Sequence, residues 1–93
     1  MYVVREVFTA KPGSASKLAA HFKTLVQDIG MKSRVLTDHI GPFNTVVLES
    51  EVPDLGEFEQ KMAEYAARPD IREKMKGYTE LYDTGRREVW KVM

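Results

Sequence analysis

Two hydrophobic periods alternate along this chain, and their order leaves few folds open. Side chains repeat every second residue in a strand and about every 3.6 residues in a helix. Residues 2–10 are rich in Val, Phe and Thr, a strand composition. Lys11-Pro12-Gly13 ends the run, because proline cannot donate to a ladder and glycine favours a turn. Ser14 is placed to cap a helix. Leu18, Phe22, Leu25, Val26 and Ile29 then fall at helical spacing, and Gly30 stands where a helix-ending glycine belongs. Residues 31–40 read as a second strand, Gly41-Pro42-Phe43-Asn44 as a turn, and residues 45–52 as a third strand. So short a connection predicts an antiparallel hairpin.

The helical period then returns. Asp54 and Glu57 form a capping-box-like pair, and Leu55, Phe58, Met62, Tyr65 and Ala66 mark the buried stripe of a second helix that Pro69 closes. Asp70 and Glu73 repeat the capping pattern for a short third helix ended by Gly77. Residues 78–84 read as a fourth strand, interrupted at Gly85, with residues 87–93 continuing it beyond a bulge or turn. This order, within 93 residues and without a linker or low-complexity segment, predicts one domain over residues 1–93. The expected fold class is α+β: a ferredoxin-like βαββαβ unit, with a four-stranded antiparallel sheet carrying its helices on one face.

The other face of such a sheet meets either water or a partner. On the third strand Val46, Leu48 and Val52 share a face with Ser50, opposite Thr45, Val47, Glu49 and Glu51. On the first strand Tyr2, Val4 and Phe8 go with Glu6, and Val3 and Val7 with Arg5. Both faces are therefore apolar with a few charges. A solvated face would be more polar, so the second is expected to pack against another copy of the chain. Arg5, Glu6, Arg34 and Glu49 are the charged candidates for that dimer face, Arg34 and Glu49 as a cross-strand ion pair. The formal net charge is zero, with 14 basic and 14 acidic residues. That balance argues against attachment to nucleic acid or anionic lipid by bulk charge and suits self-association.

The chain has no cysteine, which excludes disulfides, thiolate nucleophiles and cysteine-ligated metals and fits a cytoplasmic location. With only two histidines, His21 and His39, a three-histidine centre within one chain is impossible; neither metal nor cofactor is expected. Arg5 and Glu6 interrupt the first apolar run, unlike a signal peptide. The longest uncharged stretch, residues 39–48, falls short of the ~20 apolar residues of a membrane helix. RNA-recognition modules share this strand order but stack bases on aromatics of the first and third strands. The third strand here has no aromatic, so no nucleic-acid partner is expected. No phosphate-binding glycine loop or nucleophile elbow is present.

Three segments carry a family resemblance. Lys11-Pro12-Gly13 after the first strand resembles the K-P-G turn of NIPSNAP-type domains, and Gly41-Pro42-Phe43-Asn44-Thr45-Val46-Val47 is similar to their G-P-x-N-x-V-V hairpin. Arg68-Pro69-Asp70 falls near their D-P pair. The resemblance covers nearly the whole chain and implies a dimeric α+β barrel, in which two ferredoxin-like sheets pack face to face. Its wider structural relatives include cofactor-less monooxygenases, haem-degrading enzymes, isomerases and ligand-binding proteins, and fold analogy does not choose among them. The chain departs from the family where Leu48, Glu49 and Ser50 replace His and aromatic residues, and where Ile71 replaces a Trp.

Candidate chemistry rests on a few side chains. His39, at the end of the second strand beside a loop, is a weak candidate for a general base near neutral pH. His21 flanks the stripe of the first helix. Tyr65, Tyr78, Tyr82 and Trp90 are polar-tipped aromatics; tyrosine hydroxyls in a helix–sheet cavity would orient a flat substrate, the alternative being core packing with the hydroxyl at the surface. His39, Tyr65, Tyr82 and His21 are the ligand-binding candidates. Trp90, near the terminus, suits an arm or interface, and Arg86-Arg87 is too short for a basic patch. The expectation is a protein binding a small apolar or aromatic molecule in that cavity, with cofactor-less oxygenation or isomerisation as the chemistry it would support. The alternative is a non-catalytic dimerisation or protein-interaction module.

Overall fold

Strand β1, Tyr2–Ala10, is the axis of the sheet. It pairs antiparallel with β3, Thr45–Val52, on one side and with β4, Tyr82–Lys91, on the other. Strand β2, Lys32–Thr37, completes the order β2-β3-β1-β4, all antiparallel. This computed structural model describes residues 1–28 and 32–93. Ile29, Gly30 and Met31, read above as the last stripe residue, the glycine stop and the first strand residue, lie outside the described residues. Helices α1, Ala15–Asp28, α2, Leu55–Ala67, and α3, Pro69–Lys74, complete the ferredoxin-like α+β arrangement.

The period-two alternation decides which face the helices cover. Leu18 and Phe22 of α1 bury against Ala10 and Val46, and Phe58 of α2 buries against Val4 and Val52. These are all even-numbered strand positions, so both long helices lie on one face. The molecule is 19 Å thick along its short axis, about two layers at ~10 Å each. Among the described residues, the odd-numbered face of β1 and β3 carries no helix cluster.

Four local readings are corrected. The second strand ends at Thr37, not Ile40, because Asp38 leaves the ladder: its carboxylate accepts the Thr45 N–H at 2.9 Å, and its own N–H reaches the Thr45 carbonyl at 3.2 Å. Asn44, at φ 63°, then turns the hairpin in the left-handed region that Asn tolerates better than most residues. The fourth strand begins at Tyr82, since Tyr78–Glu80 coil into a 3-10 turn. Gly85 does not interrupt that strand; the register shift falls where Thr9 pairs Thr84 and Ala10 pairs Tyr82, leaving Asp83 as the extra residue. Finally, Asp70 does not cap α3. Arg68 is the N-cap residue, Pro69 occupies the first turn, where its missing N–H is not needed, and Asp70 binds the Arg68 guanidinium through two bonds of 3.1 and 2.6 Å.

Candidate functional site

The strand register determines which side chains crowd together beneath the helices. One row across the sheet reads Val35, Leu48, Glu6, Arg87, and the next reads Ser33, Ser50, Val4, Val89. Where α1 and α2 diverge above these rows they leave a part-enclosed cavity of about 220 Å³. Its walls are mostly apolar: Val4, Phe8 and Leu48 from the sheet, Phe22, Leu25 and Val26 from α1. Phe58 and Met62 of α2 and Met75 complete them.

Two polar corners interrupt that surface. In one, Arg87 Nε donates to Glu6 Oε1 at 2.7 Å while its guanidinium lies 5.4 Å from the centre of the Phe58 ring. Tyr78 lines the same cavity. Burial first, then the neighbouring Tyr82, which also shares a side-chain hydrogen bond with it, and the Glu6 carboxylate push the Tyr78 hydroxyl above its ordinary value of 10.0. In the second corner the hydroxyls of Ser33 and Ser50 meet at 2.7 Å. Ser50 and Glu6 are diagonal neighbours on adjacent strands, about 7–8 Å apart at the backbone. The cavity thus offers apolar walls with hydrogen-bonding groups at two corners.

None of the four ligand candidates read from the sequence lines this cavity. His39 is exposed on the hairpin loop because β2 stops before it. His21 looks away from the cavity, into an open groove with Lys17 and Lys76, its Nδ1 3.2 Å from the Lys74 carbonyl oxygen. Tyr65 is half-buried on α2 with Arg68 5.9 Å from its ring centre. Tyr82 stands just behind the cavity, its ring 5.8 Å from Tyr78 and 4.8 Å from Phe8. Glu6 corrects the dimer-face set: it shares the helix-side alternation of Val4 and Phe8, so it cannot stand beside Arg5. The residues that do converge had weaker signals. Arg87 stood in a pair of arginines, and Ser33 and Ser50 are ordinary strand residues. A carboxylate on the apolar side of a strand was the one available pointer, since such a group needs a partner inside.

The outer face holds the other three charged candidates. Arg34, Glu49, Arg5 and Glu88 stand side by side across all four strands. Arg5 and Arg34 each bond one oxygen of Glu49, at 2.8 and 2.5 Å, and Glu49 is only 7% exposed. The Arg5 hydrogen bond first, then Arg34, holds the Glu49 carboxyl below its ordinary value against the cost of burial. Glu88 is likewise lowered, chiefly by Arg86. Above and below this charged row lie Val3, Val7, Val47, Leu36 and Trp90, the last two exposed at 37% and 54%.

Among the described residues no cluster of His, Asp and Glu is disposed to hold a metal ion, and no helix is long and apolar enough to cross a membrane. No family model matches the chain, and no curated protein matches it. Solved structures do. The chain is similar to an uncharacterised NIPSNAP-like domain protein from Burkholderia xenovorans, at 21% identity and TM-score 0.85, over 99% of this chain and 84% of that one. A NIPSNAP family protein from Agrobacterium tumefaciens aligns with TM-score 0.86 at 11% identity, over 99% and 92% of the two chains. A candidate antibiotic biosynthesis monooxygenase from Deinococcus radiodurans aligns with TM-score 0.70 at 14% identity, over 100% and 93%. The structural neighbours are thus NIPSNAP proteins and monooxygenase-like ferredoxin folds, and at these identities what is shared is the fold.

Proposed function

We propose that the protein binds a small, largely apolar ring compound in the cavity between its helices and its sheet. The observation that carries this reading is the cavity itself, about 220 Å³ with apolar walls and two polar corners. An apolar cavity of about 150 Å³ holds one benzene, so a single substituted ring matches the space. If the bound molecule reacts, the groups at hand suit cofactor-less chemistry, oxygenation or isomerisation, in which a proton is held or moved at the ring edge. Tyr78 and Glu6 take the place that the sequence reading gave to His39. The monooxygenase-like neighbour is consistent with such chemistry without specifying it.

The test is ligand-observed NMR with toluene as the probe. Binding is expected to the native chain and to be lost in Leu48→Trp, whose side chain fills the cavity, with the far-UV circular dichroism unchanged. Toluene binding that survives Leu48→Trp would place the ligand elsewhere.

A second reading concerns the outer face, on the observation that its charged row neutralises itself while Leu36 and Trp90 stay exposed beside it. We propose that this face packs against the same face of a second copy, closing two sheets into a barrel. Such an assembly would be a module in its own right whether or not the cavity reacts.

A further inference from the structure

The corner formed by Glu6, Arg87 and Tyr78 has a chemistry narrower than that of a general apolar pocket. Arg87 engages Glu6 Oε1, and among the described residues Oε2 has no hydrogen-bond partner. The Glu6 side chain is 20% exposed and lines the cavity, so Oε2 is an open acceptor at the cavity wall. Such an oxygen is stabilised by any donor that enters. Tyr78 lines the same cavity with a hydroxyl, a group that can donate as well as accept. Acceptor and donor together match a hydroxyl group, which gives one hydrogen bond and takes another.

We propose that this corner recognises the neutral hydroxyl of a single-ring ligand, Glu6 Oε2 accepting its O–H and Tyr78 donating to the same oxygen. The inference rests on the cavity being a ligand site, as proposed above. Glu6, Arg87 and Tyr78 are the only titratable or charged groups lining the cavity among the described residues, with Tyr82 behind Tyr78; the residues contributed by α1 and α2 are apolar. Arg87 and Glu6 cancel, so a neutral ligand adds no net charge, whereas an anion would leave the corner negative beside the Glu6 carboxylate. Tyr78 already reports this environment: burial, Tyr82 and Glu6 disfavour its own ionised form. The site should therefore select the protonated form of an ionisable hydroxyl and reject its anion.

The probe is 4-nitrophenol, which ionises near neutral pH and whose anion alone absorbs in the visible. Bound to the native chain it should lose its yellow colour, and its affinity should fall as pH rises through its own ionisation. Glu6→Gln removes the charge that repels the anion and leaves Arg87 without its counter-charge. That variant should weaken binding of the neutral form about tenfold and bind the yellow anion instead. Tyr78→Phe should weaken 4-nitrophenol more than it weakens toluene. A yellow bound form on the native chain would overturn the inference, as would colour and affinity indifferent to Glu6→Gln. If toluene binds and 4-nitrophenol gains nothing over it, this inference fails and the cavity reading stands. If neither probe binds, both fail.

Discussion

At the scale of the single residue, two side chains show what close packing and pairing demand. Gly85 lies against the Phe8 ring, and a Cβ added there would come within 2.8 Å of a ring carbon. Phe8 is itself held between Phe22 at 5.0 Å and Tyr82 at 4.8 Å, so it has little room to withdraw. Gly85→Ala should therefore destabilise the fold by about 1–3 kcal/mol, measured by urea denaturation; an unchanged midpoint would mean that the ring yields freely. This glycine reads in the sequence as a break in the strand, when its function is a close approach across two strands, which no local signal reveals. Glu49 sets the acid behaviour. Its folded-state value lies below the ordinary 4.5, so its contribution is complete above that pH and is lost as pH falls through the folded value. Glu49→Gln should cost about 1 kcal/mol at neutral pH, modest because both arginines stay partly hydrated. The difference from the native chain should shrink as pH falls below 4.5 and through the folded value; a pH-independent difference would remove the ion-pair explanation.

At the scale of the element, helix α2 starts where its cap dictates. Asp54 Oδ1 accepts the N–H groups of Gly56 at 2.6 Å and Glu57 at 3.3 Å, satisfying two donors that have no partner within the helix. Asp54→Ala should cost about 1 kcal/mol, and Asp54→Asn much less; equal losses in the two would show that charge rather than capping matters. This start was legible because Pro53-Asp54 with Glu57 is a local pattern. The similar pattern at Asp70 misled because Arg68 sits two residues away and takes the carboxylate. Alternation in β1 and β3 groups the residues that share a face, Val4 with Phe8 and Val46 with Val52, but which group the helices cover comes only from the packing. What alternation does not contain is register. That Glu6 stands opposite Arg87, and Ser33 opposite Ser50, follows only from how the strands align. The cavity therefore emerged from pairings across up to 81 residues of sequence, while the candidates read along the chain, His39 above all, fell outside it.

At the scale of the whole molecule, one helix layer covers one sheet face, and two consequences follow. The uncovered face should bring two copies together: sedimentation velocity at micromolar concentration should give twice the 10.6 kDa of one chain, and Val47→Asp, in the apolar row of that face, should raise the dissociation constant at least about tenfold. A clean species of one chain's mass would contradict the dimer. The covered face should hold a ligand, and this is the central claim. It is tested most directly by mapping amide ¹H–¹⁵N shifts while toluene is titrated into the native protein. The account predicts saturable changes centred on Val4, Leu48, Ser50, Phe58 and Tyr78, the residues around the cavity. No change at saturating toluene, or changes confined to the outer face around Arg34 and Glu49, would contradict it.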